Sequence, residues 1–421
     1  MSEQRPMPRG DLKLVTKRSR RDLVLDEAAR QLNGRGISET ALADIAAALG
    51  LSRAALYYYV DDRQDLVFQC YRRACEALAR DIAAAAQTPG GALDRLADFV
   101  TRSLDPAHIE EAVLSEVAYL SDTQRATIAG LLEGVLAQLR ALIDAGMREG
   151  ELRPCDPAIV AQAVIGMVSW VPLAPRWSGT DPAETRARVA ASAIDLLRDG
   201  IAATASADTP LPHIDIATLR AARGNPFSRD EAAAGKREEL LRTASRLFNR
   251  KGIDAVSLDE IGAAVGATKG VVYHYLTDKP ELVAECYRRA FALGARVLEA
   301  IGQAGGDGFA RAVAGFGLLV EINARAEFSP LAPLAGVDAL HPEAHDEVIA
   351  LVRRSQEVFP AIVMAGIDEG SIRPIDATAA AIALAGTFGW IPKWFEGEDE
   401  MMIERIVEEF ARLYAFGLRA R

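Results

Sequence analysis

Apolar residues recur at helical spacing along nearly the whole chain. Leu23, Ala28 and Leu32 share one face that runs up to the breaker Asn33-Gly34-Arg35-Gly36, which predicts a first helix. A second, short helix over Leu42–Leu49 buries Leu42, Ile45, Ala46 and Leu49. It stops at Gly50, a residue free to take the left-handed turn that closes a helix. Ser52 then stands where an N-cap is wanted, and a third helix runs to about Tyr59. The same punctuation returns at Leu258–Val265, Gly266, Thr268 and Lys269–Tyr275. Ala and Leu dominate and β-branched runs are scarce, so the chain reads as all-α.

That recurrence is one part of a larger repeat. Sliding the sequence by 216 residues superimposes Arg20–Ala74 on Lys236–Ala290 without a gap, with 22 of 55 positions identical. The identities include Asn33/Asn249, Gly36-Ile37/Gly252-Ile253 and Cys70-Tyr71-Arg72-Arg73-Ala74/Cys286-Tyr287-Arg288-Arg289-Ala290. At an offset of 220, Ala145–Pro154 matches Ala365–Pro374, and Trp170-Val171-Pro172 matches Trp390-Ile391-Pro392. A period this long exceeds the ~20–50 residues of a solenoid unit, so the repeat is a whole protein duplicated and fused. The expected division is 1–74, 75–204, 205–235, 236–290 and 291–421. The middle stretch, rich in Pro, Gly, Ala and Ser, reads as a tether with a short helix near Ile214–Arg223.

Composition narrows the class. The 421 residues are 50% hydrophobic and 25% charged, an ordinary globular balance for two or three domains. The longest apolar run, Ala377–Pro392, falls short of the ~20 residues that cross a bilayer. The first 25 residues have no hydrophobic stretch of the kind a secretory leader carries, so a cytoplasmic protein without a membrane partner is expected. Cys70, Cys75, Cys155 and Cys286 form no CxxC pair and read as reduced thiols. The net charge of −11 is unevenly spread, because residues 1–25 hold seven Arg and Lys against three acids. A basic arm on an acidic body is compatible with DNA, since only the contacting face needs positive potential.

Two short helices joined by a glycine turn form a helix-turn-helix, whose second helix enters the major groove. Ser52 and Thr268 offer a hydroxyl and free N–H groups to a phosphate, and Arg53 and Lys269 add charge at the same place. Tyr57, Tyr58, Tyr273 and His274 can bond phosphates or pack on sugars, and Arg63 and Lys279 open the next helix near the backbone. A glycine-turned helix pair is common in helical proteins. Finding it twice in register, each after a basic segment, favours DNA.

These residues carry a resemblance. Ile45-Ala46 … Gly50-Leu51-Ser52 … Leu56-Tyr57-Tyr58-Tyr59 … Asp62-Arg63 … Leu66 resembles the DNA-binding domain of the TetR family of transcriptional regulators. So does Ile261 … Gly266 … Val272-Tyr273-His274-Tyr275 … Asp278-Lys279 … Leu282. Each match covers about 55 residues; beyond them the halves are similar to the family in length and helical character. Val60 and Leu276 depart from the usual aromatic, and Ala41 replaces the capping residue that copy two has in Ser257. The phosphate anchor of copy one is therefore weaker unless Thr40 takes over.

The resemblance implies a cytoplasmic regulator, a repressor by family default, with three DNA-binding helices followed by a helical domain that binds a small ligand and dimerises. Family members are usually homodimers, whereas this chain holds both copies. An intramolecular pseudo-dimer is expected, packed near Asp156–Pro175 with Thr185–Ile201 and Asp376–Pro392 with Met401–Leu418. Further association of chains is left open. The recognition helices differ, Ser52-Arg53-Ala54-Ala55-Leu56-Tyr57-Tyr58 against Thr268-Lys269-Gly270-Val271-Val272-Tyr273-His274, which predicts an imperfect or asymmetric operator in double-stranded DNA.

For the effector the candidates are Met167, Trp170, Trp177, Phe388, Trp390 and Trp394, although such stripes are more often core or interface. The run Gly166–Pro172 is similar to that of family members that regulate fatty-acid or steroid breakdown and sense acyl-CoA thioesters, so a hydrophobic, acyl-CoA-like effector is one expectation and a drug-like one fits as well. His341 and His345 have an i, i+4 spacing that metals use, but no third ligand is implied. No metal, cofactor or enzymatic activity is expected, as no catalytic or phosphate-loop pattern stands out. Two other readings stay open: a regulator with only one working DNA-binding unit, and a small-molecule carrier that binds no operator.

Overall fold

The computed structural model describes residues 19–107, 110–178, 181–204, 210–220, 229–266, 278–333 and 337–420. Among them the regular structure is helical, apart from two isolated bridges. The first half contains α1 (Arg20–Arg35), α2 (Leu42–Ala48), α3 (Arg53–Leu56), α4 (Arg63–Ala85), α5 (Ala92–Ser103), α6 (Asp122–Arg148), α7 (Pro157–Trp170), α8 (Ala174–Ser178) and α9 (Pro182–Asp199). The second half contains α10 (Arg229–Lys251), α11 (Leu258–Ala264), α12 (Lys279–Gln303), α13 (Gly308–Ala324), α14 (Pro342–Asp368), α15 (Ala377–Gly389), α16 (Ile391–Trp394) and α17 (Glu400–Phe416).

Side-chain caps set most helix starts. Ser19 and Asp22 form a capping box on α1, Asp62 accepts from the Asp65 amide at the start of α4, and Asp278 accepts from the Glu281 amide at the start of α12. Among the described helices α6 is long and apolar enough to match a bilayer span by length and composition. It lies along α4 and α7, with the Arg140–Glu133 ion pair on its outer side.

The halves meet through their last helices. α7 crosses α15, and α9 and α17 complete a four-helix seam. The crossing is close because both sides are glycine: a Cβ on Gly166 would sit 2.7 Å from the Gly386 carbonyl. The seam is reciprocal. Arg188 pairs with Asp376 at 2.9 Å, and the corresponding Arg405 pairs with Asp156. The Arg153 amide donates to the Leu418 carbonyl at 2.8 Å, and the Arg373 amide donates to the Ile201 carbonyl at 3.0 Å. Gly200 and Gly417, both with positive φ, each abut the backbone of the opposite half, where any side chain would collide.

The segment read as a tether does more than connect. Its described part forms a 3-10 turn, Ile216–Leu219, and buries Ile214, Ile216 and Leu219 against Leu293, Val297, Ala314 and Leu318 of α12 and α13. The corresponding faces of α4 and α5 carry Asp81, Asp98 and Arg102, which are polar where the second half is apolar. The first helix of that half begins at Arg229.

Candidate nucleic-acid interface

The first helix-turn-helix is built around Ile45, Leu56, Leu66 and Cys70, all fully buried beneath α1. Val60 is part of this core. Gly50, at φ +64°, closes α2, and the Leu51 amide reaches back to the Ala46 carbonyl at 2.8 Å. Ser52 then caps α3 by accepting from the Ala55 amide at 3.1 Å. This turn leaves Arg53, Ala54, Tyr57 and Tyr58 on the outside, and Tyr58 is 88% exposed although it is aromatic. A tyrosine left in water beside an exposed arginine is a contact surface rather than part of the core.

In the second unit Gly266 repeats the turn at φ +65°, and Ser257 caps α11 by accepting from the Glu260 amide at 3.1 Å. Thr268, Lys269, Gly270, Tyr273 and His274 lie outside the described residues. Ala41 stands at the N-cap of α2 with no side-chain bond.

Three of the expected contacts also make bonds within the fold. Thr40 is fully buried and its hydroxyl donates to the Gly36 carbonyl at 2.6 Å, so it cannot replace the missing cap; its counterpart, the core residue Val256, carries the same message. Arg63 donates to the Ser38 carbonyl at 3.2 Å, and Lys279 to the Asp254 carbonyl at 3.3 Å. Both hold the turn before α2 or α11, and burial lowers the Lys279 pKa.

Two conserved-in-repeat clamps that sequence reasoning left without a role dock each DNA-binding unit on the domain that follows. Asn33 donates to the Glu111 carbonyl and accepts from the Val113 amide, each at 2.9 Å. Asn249 does the same with the Pro330 carbonyl and the Ala332 amide. Arg73 bridges Asp26 and Glu111, while Arg289 reaches Glu238 and the Phe328 carbonyl. Identity in both copies was the available signal.

The units also touch each other. The Ser38 amide donates to the Asp254 carboxylate at 2.6 Å, and these are corresponding residues. The Asp254 amide donates to Glu116 at 3.0 Å, and a side chain at Gly252 would run into Glu116. Burial, with Asp254 adding to it, pushes the Glu116 carboxyl up to about 8. The Lys393 ammonium, bonded to the Ser115 carbonyl at 2.5 Å, is brought down to about 8 by desolvation, which Glu116 opposes.

The effector candidates fall in four places. Trp170 and Trp390 flank a cavity of about 30 Å³ on the seam beside Gly166 and Gly386. Trp177 is fully buried and meets Tyr287 edge-on at 5.4 Å, a wedge from the first half into the second DNA-binding core. Met167 is buried on α7. Phe388 joins an aromatic cluster in the second half with Phe316, Phe359 and Tyr414, where Phe316 and Tyr414 lie 4.8 Å apart, and Trp394 pairs with Phe395 at 6.0 Å. The Tyr414 hydroxyl and the Trp394 indole N–H are buried without a partner. His341 bonds Asp278 at 2.8 Å, and no metal-binding cluster occurs among the described residues. Cys70, Cys75, Cys155 and Cys286 are free thiols.

A doubled helix-turn-helix on a doubled helical domain defines a one-component DNA-binding regulator. The family profile "Bacterial regulatory proteins, tetR family" matches residues 24–70 and 240–286, and "Tetracyclin repressor-like, C-terminal domain" matches 86–201 and 322–418. The chain belongs to the TetR family of transcriptional regulators, as a tandem duplication of two complete units. It is 27% identical over 191 residues to the HTH-type transcriptional repressor KstR2 of Rhodococcus jostii (strain RHA1), a match spanning 44% of this chain and 93% of the relative. It is 25% identical over 167 residues to the HTH-type transcriptional regulator AcrR of Shigella flexneri, covering 36% and 78%. A solved structure of AibR in complex with isovaleryl coenzyme A and operator DNA aligns at 22% identity and TM-score 0.36, over 42% of this chain and 97% of that one. One relative thus corresponds to about one half of this chain.

Proposed function

We propose that this chain is an effector-released repressor in which one polypeptide offers two unlike recognition helices to an asymmetric operator. The observation that carries the reading is the pair of complete TetR units within one chain, whose last helices pack together. The sites proposed for DNA are Ser52, Arg53, Ala54, Tyr57 and Tyr58 in the first unit, with Thr268, Lys269, Gly270, Tyr273 and His274 in the second. Palindromic operators follow from identical halves, and the two recognition sequences here are not identical.

The effector reading is a hydrophobic molecule held by the second half, where Phe316 packs on both Phe388 and Tyr414 and the buried Tyr414 hydroxyl is unmet. An acyl thioester supplies both the apolar chain and a carbonyl acceptor. The AibR complex holds such a compound, which supports testing this class first.

The deciding experiment is a footprint on the DNA upstream of the protein's own gene, combined with the mass of the bound protein. Protection of two unlike half-sites by one 45.2 kDa chain is expected. Two identical half-sites of equal affinity, or a two-chain mass, would overturn the single-chain reading. Binding that lacks a steep fall with added salt would overturn operator binding itself.

A second reading is favoured by the uncapped Ala41, which makes the first unit the weaker reader. Alanine at Arg53 and Tyr57, compared with alanine at Lys269 and Tyr273, separates the two. Equal losses support two readers; losses confined to the second unit support one.

A further inference from the structure

The reciprocal seam contacts cannot tell the halves apart. Arg188 would meet Asp156 across a pair of first halves as readily as it meets Asp376, and Arg405 would meet Asp376 across a pair of second halves. The Arg153 and Arg373 amide contacts are equally interchangeable, but the Arg373 guanidinium is not, since it pairs with Asp195 at 2.9 Å and would meet Arg412 in a pair of second halves. With two complete dimerising units in one chain, pairing like with like between two chains is the competing arrangement.

A few contacts beneath the DNA-binding units break this symmetry. Lys393 stands where the first half has Leu173. Glu116 stands against Leu334-Ala335-Gly336 in the other copy, a run with no carboxylate. Glu116 is buried, accepts from the second unit's Asp254 amide, and lies in the field of Lys393. The Trp177 wedge has Gly397 as its counterpart. Pairing two first halves would put Leu173 in place of each lysine, leaving two buried Ser115 carbonyls without the ammonium that bonds them. Pairing two second halves would bring two Lys393 ammonium groups together without Glu116. A buried polar group that loses its hydrogen-bond partner is destabilising whatever its charge, so each wrong pairing is penalised while the right one is not.

We propose that Lys393 with the Ser115–Glu116 segment it meets, together with the Trp177 wedge, forms an asymmetric lock that makes a first half accept only a second half. The lock rests on the packing of the halves and needs no DNA, so its test can fail while the repressor reading stands, and the reverse.

The test uses the full chain with Cys155→Ser, a short bismaleimide cross-linker, and cysteines at Asp156 and Arg188. Those two positions face each other only when two first halves pair, so product linking two chains reports wrong pairing. Arg188→Cys with Asp376→Cys is the reach control and links within one chain. After refolding at high concentration, the chain with its lock intact is expected to give almost no two-chain product. The neutral double variant Glu116→Gln/Lys393→Met keeps side-chain volume and leaves neither charge buried. It is expected to raise two-chain product at least about fivefold, the equivalent of roughly 1 kcal/mol. Equal yields in the two backgrounds, or abundant two-chain product with the lock intact, would overturn the proposal. Should the variant unfold, its reach control would also fail; Lys393→Leu, which copies the buried Leu173, is then scored in the same way, and yields no higher than with the intact lock overturn the proposal.

Discussion

At five corresponding places the first half carries Val100, Leu139, Val168, Ala174 and Leu197, and the second carries Phe316, Phe359, Phe388, Trp394 and Tyr414. The aliphatic set is buried and offers no polar side-chain atom to satisfy. The aromatic set leaves the Tyr414 hydroxyl and the Trp394 N–H without acceptors, and each such unmet group costs about 1–3 kcal/mol. The helices around the two sets also differ, since α14 holds Pro360 in its interior where α6 has Arg140. One backbone plan therefore hosts a sealed core in one copy and a core with unmet donors in the other. Duplication removed the need for both copies to keep the same interior, and at these five places the unmet polar groups lie in the second.

The strongest way to break this comparison is to exchange the two interiors. Phe388→Val with Tyr414→Leu is expected to weaken binding of the tightest member of an acyl-CoA panel at least about tenfold, near 1.4 kcal/mol. The matched Val168→Phe with Leu197→Tyr should leave that affinity within about twofold. Titration by intrinsic fluorescence reads both, and an affinity lost only in the first-half variant would reverse the assignment.

A second test concerns pH. Glu116 keeps its proton in the folded protein up to about 8, whereas the unfolded chain ionises near the ordinary value of 4.5. The unfolded state binds fewer protons between those limits, so this group's contribution to stability declines as pH rises through the window. Denaturant unfolding should show wild type losing ground to Glu116→Gln from pH 5 to pH 8. A constant difference would remove the buried-carboxyl account.

Overpacking is read in stability rather than in affinity. Leu197→Tyr alone places a larger side chain in a filled core and should cost about 1–3 kcal/mol in unfolding free energy. The smallest effect is the sharpest check on symmetry: Arg188→Ala and Arg405→Ala should each cost about 0.2–1 kcal/mol, and by equal amounts within error. Unequal losses would mean the seam is not reciprocal.

Most of the architecture was legible because helices announce their ends. Ser52 and Gly50, with Gly266 in the other copy, fixed the turns, and the family resemblance together with the repeat pointed to packing through the last helices. The linker's role was hidden because Ile214, Ile216 and Leu219 are too few to show a period. Their meaning lies in the contrast of Ala314 and Leu318 with Asp98 and Arg102, two hundred residues away in sequence. Trp177 was grouped with effector candidates because an aromatic near Trp170 says nothing of its partner; only the fold sets it on Tyr287. Glu116 lies between helices, where no periodicity marks a buried carboxylate.

The crossing of Gly166 on Gly386 has an evolutionary reading. In a homodimer one codon writes both sides of such a contact, so a change to alanine adds two methyl groups at the same point. In this chain each glycine has its own codon, and a mutation alters one side while the other keeps its ancestral shape. The seam can therefore be rebuilt in half-sized steps, each small enough to survive on the way to the next. Lys393 opposite Leu173 records one position where such steps have already parted the copies.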